Sequence, residues 1–335
     1  MTLKMTVAFV LAFMVAVIVG RPYITWLRKM KAGQEIKEIG PKWHASKAGT
    51  PTMGGFIFIA GCIVVCLTTG TSLALKGDYR HLFVLLFALI FGAIGFLDDW
   101  ENLRKKQNTG LSAKANFLLQ LFASIVFIFF MRRMGYIRTG LYIPFWNFEV
   151  HIPEVLYLIF AAFVIVGTVN AVNITDGVDG LASGTSLPVC LFFVFVTFRW
   201  GEAYLAPGIF ASALLGGLIG FLVYNFHPAK CFMGDTGSLF LGGAISALAF
   251  TYDMPLILVT LGIVFIWETL SDIIQVSYFK LTHGKRVFKM APFHHHLEMG
   301  GWTGKKWKET ELFCLFTGVS LVFAIISFLG VYNRF

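Results

Sequence analysis

The chain has 335 residues, of which 57% are hydrophobic and only 13% charged, with 36 Phe and a mean hydropathy of +0.75. That balance excludes an ordinary soluble globular domain and makes lipid the solvent. The formal net charge of +9 is carried by loops between apolar runs, and no nucleic-acid partner is expected.

Apolar runs occupy 5–20, 53–70, 82–97, 115–131, 154–173, 181–198, 207–225, 239–252, 254–279 and 311–331. Most approach the roughly 20 residues a spanning helix needs, so the expectation is an all-α polytopic membrane protein of about ten transmembrane helices, one domain over 1–335. The 239–252 run is short, and only Thr251, Tyr252, Asp253, Met254 and Pro255 separate it from the next. A cleaved signal peptide is the alternative for the first run, which ends at Gly20, Arg21 and Pro22. The other runs make the membrane reading independent of it. The five Cys (62, 66, 190, 231 and 314) lie mainly inside spans and read as packing, without a redox or metal role.

Of the 27 Lys and Arg, nineteen fall in alternate loops: seven in 21–52, four in 98–114, one in 226–238 and seven in 280–310. The positive-inside rule makes these loops cytoplasmic and puts both termini outside. The longest loop on the other side, 132–153, holds Gly135, Gly140, Pro144 and Pro153 among alternating aromatic and polar residues, and predicts a small external hairpin.

Every unusual polar cluster lies in a loop of the basic set or at its helix ends. The first, Lys47 to Gly55, is Gly-rich but lacks the Walker pattern, so a phosphate loop and a pre-helix turn are equally open. Asp98 and Asp99 close an apolar run ahead of Arg104, Lys105, Lys106 and Lys114. Adjacent carboxylates repel and are costly to desolvate, so such a pair suits a shared hard cation such as Mg²⁺, against the plainer reading of a hydrated helix end. Asn170, Asn173, Asp176 and Asp179 recur every three residues, which predicts a polar strip on one helix face, with Gly177 and Gly180 inviting a turn. Gly234 and Gly237 flank Asp235 and would let a backbone approach a ligand, with Asp235 a metal carboxylate or an N-cap. In the next run Glu268, Asp272 and Gln275 share one face, which predicts an amphipathic stretch that departs from the other helices near the cytoplasmic surface and lines a lipid groove, or packs through polar contacts. His294, His295 and His296 lack a Cys partner, so a zinc site is not expected; one is a phosphate ligand or acid/base group and the others are expected to be exposed.

Carboxylates, amides, imidazoles and Lys gathered at one membrane face suit a soluble polyphosphate, a metal and a lipid phosphate whose tail stays in hydrocarbon. A transporter of a nucleotide sugar or cation is the reading from another class. Its sites tend to lie near the midplane within repeats, whereas these carboxylates mark span ends and no repeat is evident. An intramembrane aspartyl protease would need Gly-x-Gly-Asp, and Asp235 follows Phe232-Met233-Gly234.

Five stretches in order, Thr50-Pro-Thr-Met-Gly-Gly55, Asp98-Asp99, Asn170-Ala-Val-Asn-Ile-Thr-Asp-Gly-Val-Asp-Gly-Leu-Ala182, Phe232-Met-Gly-Asp-Thr-Gly-Ser238 and Ala291-Pro-Phe-His-His-His-Leu-Glu298, resemble the bacterial phospho-N-acetylmuramoyl-pentapeptide-transferases over nearly the whole chain. That family sits among the polyprenyl-phosphate N-acetylhexosamine-1-phosphate transferases, whose other members are the nearest alternative. The resemblance implies a ten-helix, Mg²⁺-dependent, homodimeric enzyme of the bacterial inner membrane with its site on the cytoplasmic face. Its reaction would pass phospho-N-acetylmuramoyl-pentapeptide from UDP-N-acetylmuramoyl-pentapeptide to undecaprenyl phosphate, giving lipid I and UMP for peptidoglycan synthesis. By motif, Asp98, Asp99, Asp235 and His294 would be catalytic, with Asp98 the candidate base for the lipid phosphate. Asp235 would bind the metal, with Asp98 and Asp99 as further candidate ligands. Lys47, Thr52, Lys114, Asn173, Asp176, Asp179, Asn225 and Phe232 would bind substrate, with Phe232 against the uracil, and His295 and His296 would meet the sugar phosphate or peptide. The family commonly carries Lys where this chain has Asn102, for which Lys105, Lys106 or Lys114 would have to substitute. The stretch from Gly300 to Lys308 is also longer than the family pattern.

Overall fold

The computed structural model describes residues 1–30, 47, 49–105, 110–138 and 140–334. In chain order its elements are α1 (Thr2–Lys29), α2 (Phe56–Thr68), a short α3 (Thr71–Ala74), α4 (Arg80–Lys105), α5 (Ala113–Arg133), strands β1 (Gly140–Ile143) and β2 (Phe148–His151), α6 (Glu154–Thr175), α7 (Leu181–Trp200), α8 (Leu205–Asn225), α9 (Gly234–Thr251), a short α10 (Leu258–Leu261), α11 (Ile263–Leu281), a short α12 (Phe293–Glu298) and α13 (Glu309–Val331). The Lys31, Lys37 and Lys42 of the first basic loop, and Lys106, lie outside the described residues.

Each of the ten apolar runs coincides with a helix or a bent helix pair, but they are not equally suited to cross a bilayer. Seven of the described helices are long and apolar enough, or eight if the bent pair is one span. Helix α2 has 13 residues, about 20 Å against a hydrocarbon core of about 30 Å. Helix α9 begins at Gly234, before its apolar run, and is diluted by Gly, Ser and Thr. The 254–279 run is broken: its two parts meet at Gly262 with a 77° bend. The break lies ahead of Glu268, toward the start of the run. The remainder, α11, buries Glu268 and leaves Trp267, Leu270, Ile273 and Ile274 exposed, an apolar outer face on a helix with a polar inner one.

The predicted hairpin is present, with β1 and β2 antiparallel from Gly140↔His151 to Ile143↔Phe148. The core of the bundle is α9, which packs chiefly on α4 and α6, and α8, which packs on α1 and α2. Small residues permit the closest approaches, as expected where lipid offers no hydrophobic drive between helices. A β-carbon on Gly95 of α4 would overlap the backbone of Asp235, and one on Gly242 of α9 would come within 2.6 Å of the Val169 Cα of α6. One turn beyond each contact stand the polar residues of the site: Asp99 follows Gly95 by four positions, Asn173 follows Val169 by four, and Ser238 precedes Gly242 by four.

Candidate active site

Asp98 and Asp99 are buried in α4 and point to different partners. Asp99 accepts hydrogen bonds from the backbone N–H of Asp235 (3.1 Å), the backbone N–H of Thr236 (2.9 Å) and the Thr236 hydroxyl (2.7 Å). It therefore caps α9 from a neighbouring helix, satisfying orphan donors that Met233, at the N-cap position of α9, does not. Asp98 accepts from the Leu111 N–H at 2.8 Å and from the Asn102 amide at 3.1 Å, and Asn102 in turn accepts from the Gly110 N–H at 2.7 Å. The Asp235 side chain is fixed by the Asn173 amide at 2.7 Å, which also reaches Ser238 at 2.8 Å. The carboxylates of Asp98 and Asp99 are its charged neighbours. Among the described residues, no Lys or Arg forms an ion pair with any of the three. Neighbouring carboxylates held by neutral donors are a hard-oxygen set short of positive charge, a chemistry that suits a divalent cation such as Mg²⁺. The described residues that bring three ligand atoms close enough together to share one ion are, however, Asp179, His227 and Glu309.

A second group lies beside the first. Lys47 Nζ bonds Asp179 at 2.7 Å and Glu309 at 2.6 Å; Asp179 also accepts from His227 Nδ1 (3.0 Å) and the Ala229 N–H (2.9 Å). The Asp179 N–H donates to Glu309 at 3.0 Å. The ligand atoms of Asp179, His227 and Glu309 lie within 4.8 Å of one another, close enough for a metal. Lys47 already supplies a positive charge to both carboxylates, so the need for a cation is weaker than at Asp235. Despite burial, the Lys47 ammonium and its companion donors hold the Asp179 carboxyl below the usual carboxylate range.

Asp176 stands between the groups. Burial, then the carboxylates of Asp235, Asp99 and Asp179, push its carboxyl well above the ordinary range, with Lys47 only partly opposing them. The expected four-residue strip is shorter than its spacing implied. Helix α6 ends at Thr175, so Asp176 caps it and Asp179 belongs to the following turn. Asn170 donates instead to Gln120 of α5 at 2.7 Å, which joins two helices away from the carboxylates.

The glycines around Asp235 serve packing. A β-carbon on Gly237 would overlap Met233 and come within 2.7 Å of the Gly55 Cα. The N–H groups of Gly54 and Gly55 donate to Phe232 and Met233 carbonyls at 2.8 and 2.9 Å, so those donors are engaged within the chain and the segment is a docked pre-helix turn. Thr52, buried, abuts Gly234 in the same contact. Phe232 is half-buried with Lys47 Nζ 5.9 Å from its ring centre. Asn225 is buried, donates to the Cys231 carbonyl at 3.0 Å, and keeps an unpartnered Oδ1.

The expectation that two of the three imidazoles are exposed is overturned: His294, His295 and His296 are all buried. A short helix turns each into protein, where His294 meets Glu268 (2.9 Å), His295 meets Glu298 (2.6 Å), and His296 Nδ1 accepts from the Lys289 N–H (3.1 Å). Lys114 is exposed in the first turn of α5, and Lys105 pairs with Glu101, so neither takes the place of the Asn102 side chain at Asp98. Glu309 and Gln120 were missed in the sequence. A Glu in the first turn of an apolar helix looks like an ordinary complement to the helix dipole, and a lone Gln inside a span carries no pattern.

The Glycosyl transferase family 4 profile matches residues 81–253, which include Asp98, Asp99, Asn173, Asp176, Asp179 and Asp235. Proteins named phospho-N-acetylmuramoyl-pentapeptide-transferase match almost end to end. The one from Caldanaerobacter subterraneus subsp. tengcongensis is 44% identical over 97% of this chain and 98% of its own length. That of Clostridium acetobutylicum is 43% identical over 96% and 97%, and that of Geobacillus thermodenitrificans 42% over 97% and 96%. The chain belongs to this transferase family. Matches of such coverage take in the parts outside the profile, Lys47, the His run and Glu309, so family membership extends to both halves of the site.

Proposed function

We propose that the protein transfers phospho-N-acetylmuramoyl-pentapeptide from UDP-N-acetylmuramoyl-pentapeptide to undecaprenyl phosphate, yielding lipid I and UMP. The observation that carries this reading is the Asp98–Asp99–Asp235 group, with Asp98 and Asp99 buried and Asp235 partly so, which lacks a cationic partner among the described residues and sits at one end of a bundle with an apolar exterior. Asp235, with Asp98 and Asp99 beside it, would hold Mg²⁺, which when bound supplies the positive charge a diphosphate needs. In the net reaction a P–O bond forms between the lipid phosphate and the sugar-linked phosphorus, the P–O bond to UMP breaks, and UMP leaves with that electron pair. Asp98 accepts the proton of the lipid phosphate, since each oxygen keeps a lone pair beyond its bond to Leu111 or Asn102. Lys47, Asp179, Asn225 and Phe232 form the nucleotide side, and the His run the sugar side. The Lys and Arg count of the loops supports a cytoplasmic position for this face, and the family resemblance supports a homodimer in the bacterial inner membrane.

The test is UMP release by purified protein in detergent, given both substrates and Mg²⁺ and then with each omitted. Release that requires all three is the expected result. No release from folded protein, or release without the lipid, overturns the reading.

A further inference from the structure

Glu268 lies in α11 with none of its side chain exposed, and no Lys or Arg pairs with it among the described residues. Its Oε2 accepts from His294 Nδ1 at 2.9 Å and faces the His294 N–H at 3.4 Å; Oε1 has no partner. The His294 imidazole is equally buried, and its Nε2 is also without a partner. That nitrogen is not aimed at the apolar core: a β-carbon on Gly177 would overlap it, which places it against the turn between Asp176 and Asp179. A carboxylate only accepts, so Nδ1 carries its proton toward Glu268 and Nε2 is left as the working nitrogen.

We infer that Glu268 is the positioning residue of His294, holding Nδ1–H toward its own carboxylate so that Nε2 faces the substrate and, when protonated, donates to a phosphate oxygen of the sugar-linked diphosphate. The inference rests on the proposed transferase reaction for its substrate, but the pairing itself stands on the geometry. A ring that offers Nε2–H to an anion becomes positive, and the buried Glu268 carboxylate compensates that charge where water does not. The arrangement parallels the orienting carboxylate of other imidazole-based sites, where the acid sets the tautomer and does not itself react. Asp272, one turn along α11, and the His295 ring, 4.2 Å from that of His294, are ionisable neighbours on the near side, and Asp176 and Asp179 flank the turn that Nε2 faces.

Two readouts test it. In UMP release, E268Q should lower kcat at least about tenfold with KM for the nucleotide substrate within about twofold, and E268Q should cost nothing further in an H294A background. Unchanged kcat in E268Q, or an equal loss in the H294A background, overturns the inference. Independently of any reaction, ¹⁵N spectra of histidine-labelled protein, with His294 assigned by its loss in H294A, should show an Nδ1-protonated ring in the wild type and a changed ring in E268Q. A wild-type ring protonated on Nε2 alone refutes the pairing even if wild-type turnover is absent, an absence that would count against the transferase reading alone. Should E268Q fail to fold, E268D, which keeps the charge, is expected to retain the wild-type ring form, and loss of it there also refutes the pairing.

Discussion

The two carboxylate groups of the site are neighbours built on opposite electrostatic plans. Around Lys47, two acids share an ammonium, an imidazole and backbone donors, and the account closes within the chain. Around Asp235, the donors that meet the three acids among the described residues are amides, a hydroxyl and backbone N–H groups. The first arrangement is a finished scaffold that needs nothing more to be stable. The second gathers repelling charge that the packed helices hold together, and in the proposed reaction a bound cation would compensate it.

The contrast is broken most severely by substitution in the second group. Asp235→Asn should abolish Mg²⁺-dependent UMP release, a loss on the order of a thousandfold or more, while the protein still folds. Its thermal melt measured with chelator should be no lower than that of the wild type, because one of three repelling charges is gone. Undiminished turnover would remove Asp235 from the metal. In the first group the sign reverses: Lys47→Ala strands Asp179 and Glu309, and should cost about 3 kcal/mol of stability. Adding Glu309→Gln to that variant should recover part of the loss in the same melt, since it removes one stranded charge. A double variant less stable than Lys47→Ala would show that Glu309 matters for something other than its pairing.

How much of this was visible beforehand follows the same division. The membrane fold, the hairpin and the convergence of loops at one end were legible because hydropathy and Lys/Arg parity are summed over many residues. Asp98, Asp99 and Asp235 stood out because a carboxylate at a span end is rare. What stayed hidden was pairing across helices: that Asp99 caps α9, that Glu309 completes the Lys47 group, and that Asn170 meets Gln120. Spacing along one chain carries no information about which helix face a distant residue will find. The period of three from Asn170 to Asp179 misled for a related reason, because a helix that ends at Thr175 no longer imposes its register on Asp179. Two of the three imidazoles are expected in solvent for want of any sign in the sequence that Glu268 and Glu298 would meet them.

A smaller effect separates the groups by pH. The Asp176 carboxyl is raised, so the folded state binds a proton at pH values where the unfolded chain has lost it; its burden is present above the raised pKa and is relieved as pH falls through it. The Asp179 carboxyl is lowered, so its contribution is complete above the ordinary carboxylate range and is lost only as pH drops below that range. In chelator, mild acidification should therefore raise the melting temperature of the wild type relative to Asp176→Asn, and Mg²⁺ should shrink the difference by supplying the missing charge. A difference of the opposite sign would mean that Asp176 is stabilised as an anion, and the charge deficit would have to be sought elsewhere.

The least disruptive change probes how the second group tolerates having no cation of its own. Asn102 joins Asp98 to the Gly110 N–H, a neutral amide at the position where the sequence resemblance implies a Lys. Because an amide both donates and accepts, it can tie the segment at Gly110 to α4, whereas an ammonium can only donate. Asn102→Lys should thus bring a charge to Asp98 while freeing Gly110. Losing one such bond is worth about 1 kcal/mol, so turnover should fall by less than about tenfold, and saturation should need more Mg²⁺ as the new ammonium competes for the same carboxylates. If turnover instead rises with the Mg²⁺ requirement unchanged, Asp98 lies outside the metal's reach, and the deficit narrows to Asp99 and Asp235.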